Sequence, residues 1–171
     1  GIRQIGGGMT TLTGHSSGFT GTTTVENGIL AVNGQLGGAL DVLAGGRLQG
    51  TGTVGNTTVS GTVAPGNSIG TLSVGNIVFN PGSIYQVEVN ATGQSDKIAA
   101  GGTATINGGL VQVQAGNGQY APAMTYTILT ATGGATGGFS GVTSNLAFLD
   151  PSLSYDPDNV YLTLTRNTVS F

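Results

Sequence analysis

The sequence predicts an all-β fold, a parallel β-helix (a solenoid) closed by a β cap at its C-terminal end. Short runs of alternating apolar and polar residues recur along the chain, and no segment sustains the period of an α-helix. Glycine-containing turns separate these runs at loose intervals of roughly 20 residues, as expected for the rungs of a solenoid. Aromatic residues concentrate late in the chain, where they predict a better-packed terminal unit.

Five segments share one pattern, in which a short strand leads through a glycine-containing turn into a second short strand. They are residues 25–34, 42–50, 59–66, 77–85 and 105–111, with turn glycines at positions 28, 46, 61, 82 and 109. A single rung cannot bury its apolar face alone, so stacked rungs are needed to build a continuous core. The longest interval contains residues 91–97, which predict a hairpin turn inserted before Ile98.

Composition supports this fold and excludes several functional classes. Gly makes up 33 of 171 residues without the spacing of collagen, and charged residues are only 6%, with too many apolar residues for a disordered chain. No apolar run is long enough for a transmembrane helix, and the absence of cysteine removes disulfide and thiolate chemistry. A nucleic-acid partner is not expected, because the four cations are scattered rather than clustered. They are Arg3, Arg47, Lys97 and Arg166.

The chain divides into two regions that differ in composition. Residues 1–78 hold 20 of the 33 Gly and a single aromatic residue, Phe19, which predicts regular, thin β-helix rungs. Residues 79–171 hold nine of the ten aromatic residues and predict a capping region that is continuous with the solenoid. The second region is therefore expected to supply packing that the first region lacks.

The last strand alternates cleanly between two faces. Leu162 and Leu164 alternate with threonines and predict an inward face, while Tyr161 points the other way. Asp150-Pro151 and Asp156-Pro157 are interpreted as turns that bracket this strand. The strand is therefore expected to belong to the cap.

Several stretches resemble the passengers of bacterial autotransporters. GTGTVG at 50–55, followed by GTVAPGNSIGTL at 61–72, resembles the passenger-associated transport repeat, and FTGTTTVENGILAVNG at 19–34 is similar to the autotransporter β-strand repeat. YTIL at 126–129, GF at 138–139 and VYLTLTRN at 160–167 resemble the autochaperone segment that ends a passenger. The residues taken as the structural motif are Pro65, Gly66, Ser68, Gly70, Leu72, Tyr161, Leu162 and Leu164.

The resemblance implies a right-handed parallel β-helix, secreted across the outer membrane and then displayed at the cell surface or released. It implies two partners, the protein's own outer-membrane β-barrel translocator and the upstream rungs of the passenger, and it leaves a host-cell or self-association partner open. It also implies a fold-nucleating role in a passenger that acts as an adhesin or virulence factor. The first residues form no signal peptide and do not begin with Met, so we expect a fragment of a longer protein.

One serine motif invites a catalytic interpretation. Residues 66–70 match G-x-S-x-G, the nucleophile elbow of hydrolases. The elbow needs a helix after the serine and a histidine later in the chain, whereas residues 71–75 favour a strand and the only histidine, His15, comes earlier. We therefore interpret Ser68 as a turn residue and expect no enzymatic activity and no catalytic residue.

The sequence also predicts no metal or cofactor site. His15 lies in a loop without cysteine or a nearby carboxylate. Asp150, Asp156 and Asp158 form the only cluster of carboxylates, and the Asp-Pro pairs explain two of them as turn formers. A polysaccharide-cleaving β-helix needs more clustered carboxylates and basic residues, so it is the least favoured function. A direct glycan-binding or self-associating β-helix module is the main alternative to a structural segment.

Asparagines at or near the turns have two interpretations. Their side chains either bond the backbone of adjacent rungs, or each residue tolerates left-handed turn geometry on its own. The residues concerned are Asn27, Asn33, Asn56, Asn67, Asn76 and Asn80.

Overall fold

The computed structural model describes residues 1–168, and every regular element within them is a strand. In this part of the chain no helix is available that could cross a membrane. The strands are β1 Ile2–Gln4, β2 Met9–Leu12, β3 His15–Ser16, β4 Thr22–Val32, β5 Gln35–Leu36, β6 Ala39–Gly50, β7 Thr53–Val54, β8 Thr57–Val59, β9 Thr62–Pro65, β10 Thr71–Val74, β11 Ile77–Phe79, β12 Ile84–Val89, β13 Lys97–Ala100, β14 Ala104–Ile106, β15 Leu110–Ala115, β16 Ala123–Ala131, β17 Ala135–Gly137, β18 Gly141–Ser144, β19 Leu149–Tyr155 and β20 Asn159–Arg166.

The strands stack into three faces around one axis. The first face holds β1, the opening halves of β4 and β6, and then β8, β11, β14 and β17. The second face holds β2, the closing halves of β4 and β6, and then β9, β12, β15 and β18. The third face begins with β3, β5, β7, β10, β13 and β16. All these neighbours pair in parallel, which confirms the predicted parallel β-helix.

The rungs lengthen towards the C-terminus. On the first face, Leu40 pairs with Thr57, Thr57 with Ile77, Ile77 with Ala104 and Ala104 with Ala135, so each step spans more residues than the one before. On the second face the middle strands lengthen as well, because β9 has 4 residues whereas β12 and β15 have 6 each. Longer strands enclose a wider cross-section, and close packing then requires larger side chains to fill it.

Part of the added length is a hairpin inserted between β12 and β13. Val89 and Ser95 form an antiparallel bridge, and Asn90 donates its N–H to the carbonyl oxygen of Gln94 at 3.0 Å. The side chain of Asn90 also accepts hydrogen bonds from the backbone N–H groups of Thr92 and Gln94. The hairpin turn predicted at residues 91–97 is therefore confirmed.

The predicted turn glycines share one corner, between the first and second faces. Gly28 pairs with Gly46, and the N–H of Gly61 donates to the carbonyl oxygen of Val42 in the preceding rung at 3.0 Å. The turns at Gly82 and Gly109 separate β11 from β12 and β14 from β15. In the early rungs the structure differs from the expectation of two short strands, because Gly28 and Gly46 lie inside the long strands β4 and β6. Parallel partners keep the backbone bonded through the corner there.

Inward-facing side chains of all three faces form one continuous core. Aliphatic residues fill the early rungs, where Phe19 packs against the core only partly buried, and fully buried aromatic residues join them from β11 onwards. Phe79 and Tyr85 stack with ring centroids 5.9 Å apart, and Phe139 meets the Phe79 ring edge-on at 5.0 Å. The hydroxyl group of the fully buried Tyr85 donates to the carbonyl oxygen of Ile128 on the third face. The aromatic residues therefore connect different faces and rungs.

A terminal hairpin, made of β19 and β20, completes the third face. The strand β20 lies between β16 and β19 and pairs with both in the antiparallel sense. Val160, Leu162 and Leu164 are each 0% exposed, so the predicted inward face is present.

The interpretation of Asp150-Pro151 as a turn is wrong. Both residues lie inside β19, where Pro151 is in register with Leu164. Because β19 is the last strand of this sheet, its outer edge has no ladder hydrogen bond for proline to interrupt. Asp156-Pro157 does lie in the turn between β19 and β20.

The predicted boundary between residues 78 and 79 falls within β11. The solenoid continues through it, and residues 169–171 of the capping region lie outside the described residues. The division into early rungs and a capping region therefore stays a prediction about folding.

Candidate functional site

The first candidate site is the corner loop, residues 65–72, which joins the second face to the third. Gly66 has φ 84° and forms an antiparallel bridge with Gly50, through backbone hydrogen bonds of 2.7 and 3.2 Å. A Cβ atom on Gly66 would lie 2.1 Å from the carbonyl oxygen of Ser68. The loop folds back so closely that only glycine fits at this position.

Both ends of the corner loop are fixed by packing. Pro65 is the buried last residue of β9, and Leu72 is 0% exposed in β10, where it pairs with Ile98. The side chain of Asn67 donates to Asn33 Oδ1 at 2.9 Å, which ties the exposed tip to an earlier rung. The loop is therefore a fixed part of the solenoid, consistent with the structural role predicted for its motif.

A buried carboxylate holds the far side of this loop. Asp96 is 1% exposed, and its two carboxylate oxygens accept the N–H groups of Gly70 at 2.9 Å and Glu88 at 2.8 Å. Burial raises the pKa of Asp96 to about 7, although both N–H donors oppose that shift. One side chain of the inserted hairpin therefore joins the corner loop to the strand β12.

The serine of the G-x-S-x-G motif lies between two strands. Ser68 is exposed at the tip of the corner loop, and β10 begins at Thr71, so a strand follows where the elbow requires a helix. His15 is exposed in β3, the first strand of the third face. The surroundings of Ser68 therefore differ from those of a nucleophile elbow.

The second candidate site is the turn of the terminal hairpin. Asp156 Oδ2 accepts the hydroxyl group of Tyr161 at 2.5 Å, and Oδ1 accepts the N–H of Asp158 and the side-chain amide of Asn159, both at 2.9 Å. These donors lower the pKa of Asp156, and the Tyr161 hydroxyl group has the largest effect. The hydrogen bond between Tyr161 and Asp156 also raises the pKa of Tyr161. Tyr161 thus points away from the core, as predicted, and fixes the turn from outside.

The predicted carboxylate cluster does not converge on a shared point. Asp150 accepts the side-chain amide of Asn167 at 2.8 Å, whereas Asp156 bonds within its own turn. Within residues 1–168 no group of three metal-ligating side chains comes together.

Asparagine side chains link successive rungs at another corner, between the third face and the first. Asn56 Oδ1 accepts the N–H of Asn76 at 2.9 Å, and Asn76 Oδ1 accepts the N–H of Thr103 at 2.8 Å. Asn33 and Asn80 also bond to neighbouring rungs, through Thr51 and Ser60. No residue other than glycine has positive φ in the described chain, so the left-handed interpretation is wrong. The interpretation of side chains that bond the backbone of an adjacent rung holds for Asn33, Asn56 and Asn76, whereas Asn27 accepts the N–H of its own neighbour Gly28.

Two contacts have no local signature in the sequence. They are the hydrogen bonds that Asp96, within the inserted hairpin, accepts from Gly70 and Glu88, and the bond from the Phe139 N–H to the Tyr155 hydroxyl group at 3.0 Å. Both depend on residues far apart in the sequence. The one available signal for Asp96 was a lone carboxylate close to an apolar strand.

Together the fold and these sites define a parallel β-helix that ends in an antiparallel hairpin. The chain is similar to two proteins of Serratia marcescens, each named extracellular serine protease, at 39% identity over 183 residues and 32% over 184. Each match covers 100% of this chain but only 17% of the relative, so the chain spans about a sixth of the length of these proteins. No protein-family model matches the chain.

Proposed function

We propose that this chain is the structural, fold-nucleating C-terminal segment of an autotransporter passenger that is exported to the cell exterior. The parallel β-helix, the corner-loop motif and the name of the two relatives support the proposal. The chain matches only 17% of each relative. We therefore propose that the protease activity lies in the part of the complete protein outside this segment. We propose a passenger that carries a protease in preference to the adhesin suggested by the sequence alone.

The terminal hairpin is the observation that carries the proposal. It buries Val160, Leu162 and Leu164 completely and covers the outer edge of β16. Next to it, the Phe139 ring packs on Phe79, and the Phe139 backbone N–H donates to the Tyr155 hydroxyl group. This end of the solenoid therefore has packing that does not depend on further parallel rungs.

Such an end can act as a nucleus. A passenger that leaves its translocator with the C-terminal end first has no folded neighbour for its first rungs. The stability of a solenoid is roughly a sum of rung and interface terms, so a well-packed terminal unit offers a template to the next rung. The glycine-rich early rungs lose more backbone entropy on folding and gain most from such a template.

The chain itself is proposed to be non-catalytic. Ser68 lies in a strand–loop–strand setting, and Asp150 and Asp156 are engaged in structural hydrogen bonds. Replacement of Ser68 by alanine is accordingly expected to leave the proteolytic activity of the complete protein unchanged.

The proposal is tested in the complete exported protein with two single substitutions on β20. Leu164→Ala removes a fully buried side chain, whereas Thr165→Ala makes the same kind of change at an exposed position on the same strand. We expect Leu164→Ala to slow surface appearance after a pulse of synthesis and to leave the displayed passenger sensitive to added protease. Thr165→Ala is expected to match the unaltered protein. Equal export and equal protease resistance for both variants would rule out the nucleating role.

A further inference from the structure

Four asparagine residues of the chain are followed directly by glycine. In such a pair the backbone nitrogen of the glycine can attack the side-chain carbonyl carbon of the asparagine, because no Cβ atom of the second residue blocks the approach. The reaction needs a glycine N–H that is not held elsewhere and a backbone that can bring the two atoms together. The four pairs are Asn27-Gly28, Asn33-Gly34, Asn107-Gly108 and Asn117-Gly118.

Hydrogen bonds to other rungs hold the pair Asn33-Gly34. The N–H of Gly34 donates to the carbonyl oxygen of Leu12 at 3.0 Å. Asn33 Oδ1 accepts the N–H of Thr51 at 3.2 Å and the side-chain amide of Asn67 at 2.9 Å. The attacking nitrogen and the carbon that it would attack are therefore fixed to different parts of the solenoid.

The pair Asn27-Gly28 lies inside the strand β4, where it has neighbours on both sides. The two residues pair with Gly45 and Gly46 of β6. On the other side, the carbonyl oxygen of Gly6 lies 2.3 Å from the place that a Cβ atom of Gly28 would take. The N–H of Gly28 donates to Asn27 Oδ1 at 3.0 Å, so its hydrogen points at the oxygen, and the strand must open before the nitrogen can react.

The pair Asn107-Gly108 belongs to the turn between β14 and β15. The N–H of Asn107 donates to the carbonyl oxygen of Phe79 at 2.9 Å, and Gly108 is buried with φ 119°. Ser140 Oγ of the next rung lies 3.1 Å from the place that a Cβ atom of Gly108 would take. This turn is therefore enclosed by the rungs before and after it.

The pair Asn117-Gly118 has different surroundings, in the loop between β15 and β16. Residues 116–119 are all exposed. Within residues 1–168, neither the N–H of Gly118 nor the side chain of Asn117 forms a hydrogen bond. Both reacting groups are therefore open to water in the folded chain, and no strand has to separate to bring them together.

We propose that Asn117 is a site of spontaneous deamidation, at which the folded chain converts asparagine into aspartate and isoaspartate without an enzyme. The Gly118 nitrogen forms a bond to Asn117 Cγ, and the bond from Cγ to the side-chain nitrogen breaks. That nitrogen leaves as ammonia and takes up the proton of the Gly118 N–H. Water then opens the cyclic imide at either carbonyl carbon. The site is a property of this loop and does not depend on the nucleating role proposed above.

The change is confined to the loop and alters its charge. The N–H of Gly116 donates to the carbonyl oxygen of Val89 at 2.9 Å, and the Tyr120 hydroxyl group donates to the carbonyl oxygen of Gly116 at 2.7 Å. The backbone before Asn117 therefore stays attached to the solenoid. Each event replaces a neutral amide by a carboxylate and adds one negative charge to a chain with a formal net charge of −3. Molecules of different age then differ in charge while they share one fold.

The experiment follows all four pairs in the full chain, aged at neutral pH either folded or in denaturant, by peptide mass spectrometry. In denaturant the four pairs share the same two residues, so their rates should agree within a few-fold. In the folded chain Asn117 should keep its denatured rate. The other three asparagines should react at least about tenfold more slowly, because they react only after local opening. Equal slowing of all four pairs, or a faster reaction at one of the other three, would overturn the proposal.

A second measurement uses two matched variants of the folded chain, Asn117→Gln and Asn107→Gln. Both side chains are exposed, and glutamine keeps the amide but closes the corresponding ring far more slowly. Ion-exchange chromatography of aged samples should show that Asn117→Gln no longer accumulates the acidic form. Asn107→Gln should accumulate it at the rate of the unaltered protein. Accumulation at the same rate in both variants contradicts the assignment to Asn117.

Discussion

The hydroxyl group of Tyr85 donates a hydrogen bond of 2.5 Å to the carbonyl oxygen of Ile128, and this bond crosses the buried interior from the second face to the third. Ile128 lies at the point where the pairing of β16 with β20 shifts register, between Thr127 and Leu129. Tyr85 therefore holds the backbone of β16 at the register shift where β16 pairs with the terminal hairpin.

Removal of this hydroxyl group is expected to destabilise the whole segment. Tyr85→Phe keeps the ring that stacks on Phe79 but leaves a buried carbonyl group without this partner, at a cost of about 1–3 kcal/mol. Tyr161→Phe removes the same group at the surface, where water replaces it, and is expected to cost less than about 1 kcal/mol. Denaturant unfolding of both variants measures the difference. Equal decreases in the free energy of unfolding would show that the buried hydrogen bond stabilises the chain no more than the exposed one does.

Truncation of the buried leucines of β20 tests the packing of the hairpin. Leu162→Ala and Leu164→Ala should each lower the free energy of unfolding by roughly 2–5 kcal/mol, because each leaves a cavity in the core. That is a large share of a typical total of about 5–15 kcal/mol. Thr165→Ala, at an exposed site, provides the baseline for thermal and denaturant unfolding. Losses no larger than this baseline would mean that β20 is not firmly docked.

Deletion of residues 119–171, the C-terminal part of the capping region, tests whether these strands stabilise the early rungs. A chain that ends at Gly118 lacks β16 to β20 and is expected to melt at a much lower temperature or without a cooperative transition. Protease should then cut within residues 1–78. A chain that begins at Thr22 removes one rung from the other end and should keep a cooperative transition. An unchanged melting temperature for the chain ending at Gly118 would exclude a nucleating role for the removed strands.

Two glycines with the same backbone angle separate conformational strain from steric exclusion. Gly66 and Gly82 have φ 84° and 85°, but a Cβ atom would meet the Ser68 carbonyl oxygen at 2.1 Å in the first and nothing within 4 Å in the second. Gly82→Ala is expected to cost about 1–2 kcal/mol for the left-handed conformation alone. Gly66→Ala should lower the free energy of unfolding clearly more than Gly82→Ala does. Similar denaturant midpoints for the two variants would show that the corner loop can shift to accept the Cβ atom.

The asparagine ladder, the chain of hydrogen bonds from Asn56 to Asn76 to Thr103 between successive rungs, gives a further test. Asn76→Ala removes the acceptor for the N–H of Thr103 and should cost about 1–2 kcal/mol, because part of the rung-to-rung bonding is lost. Asn117→Ala, in an exposed loop, should change stability by less than about 0.5 kcal/mol. Hydrogen exchange at the Thr103 amide locates the effect. An exchange rate that does not change in Asn76→Ala would contradict the role of the ladder.

The rungs, the glycine corner and the terminal strand could be predicted because each depends on local patterns. Alternation over a few residues decides which side chains of β20 face inward, as Leu162 and Leu164 show. The recurrence of turn glycines reports the rung period directly. In the same way, the inserted hairpin was foreseen from residues that are close together in the chain.

The rest could not be predicted because it depends on neighbours that the fold brings together. Asp150-Pro151 has the local signature of a turn, and only the edge position of β19 makes a strand proline acceptable there. Asp96 meets Gly70 across 26 positions of sequence, and Tyr85 meets Ile128 across 43. Such long-range pairs set the chemistry of the buried groups, and a single sequence carries no direct signal for them.

Proline in the last strand also gives the molecule a direction. At position 151 the backbone has no N–H to offer, so the outer edge of β19 is a poor template for another strand, whereas β1, β2 and β3 at the opposite end keep their outer edges unpaired within the described chain. The block applies to the third face alone, because β17 and β18 end the first and second faces without a proline in the strand. Two molecules that meet through their β19 edges would therefore pair poorly, whereas β3 at the other end of the same face keeps an edge that can accept a strand.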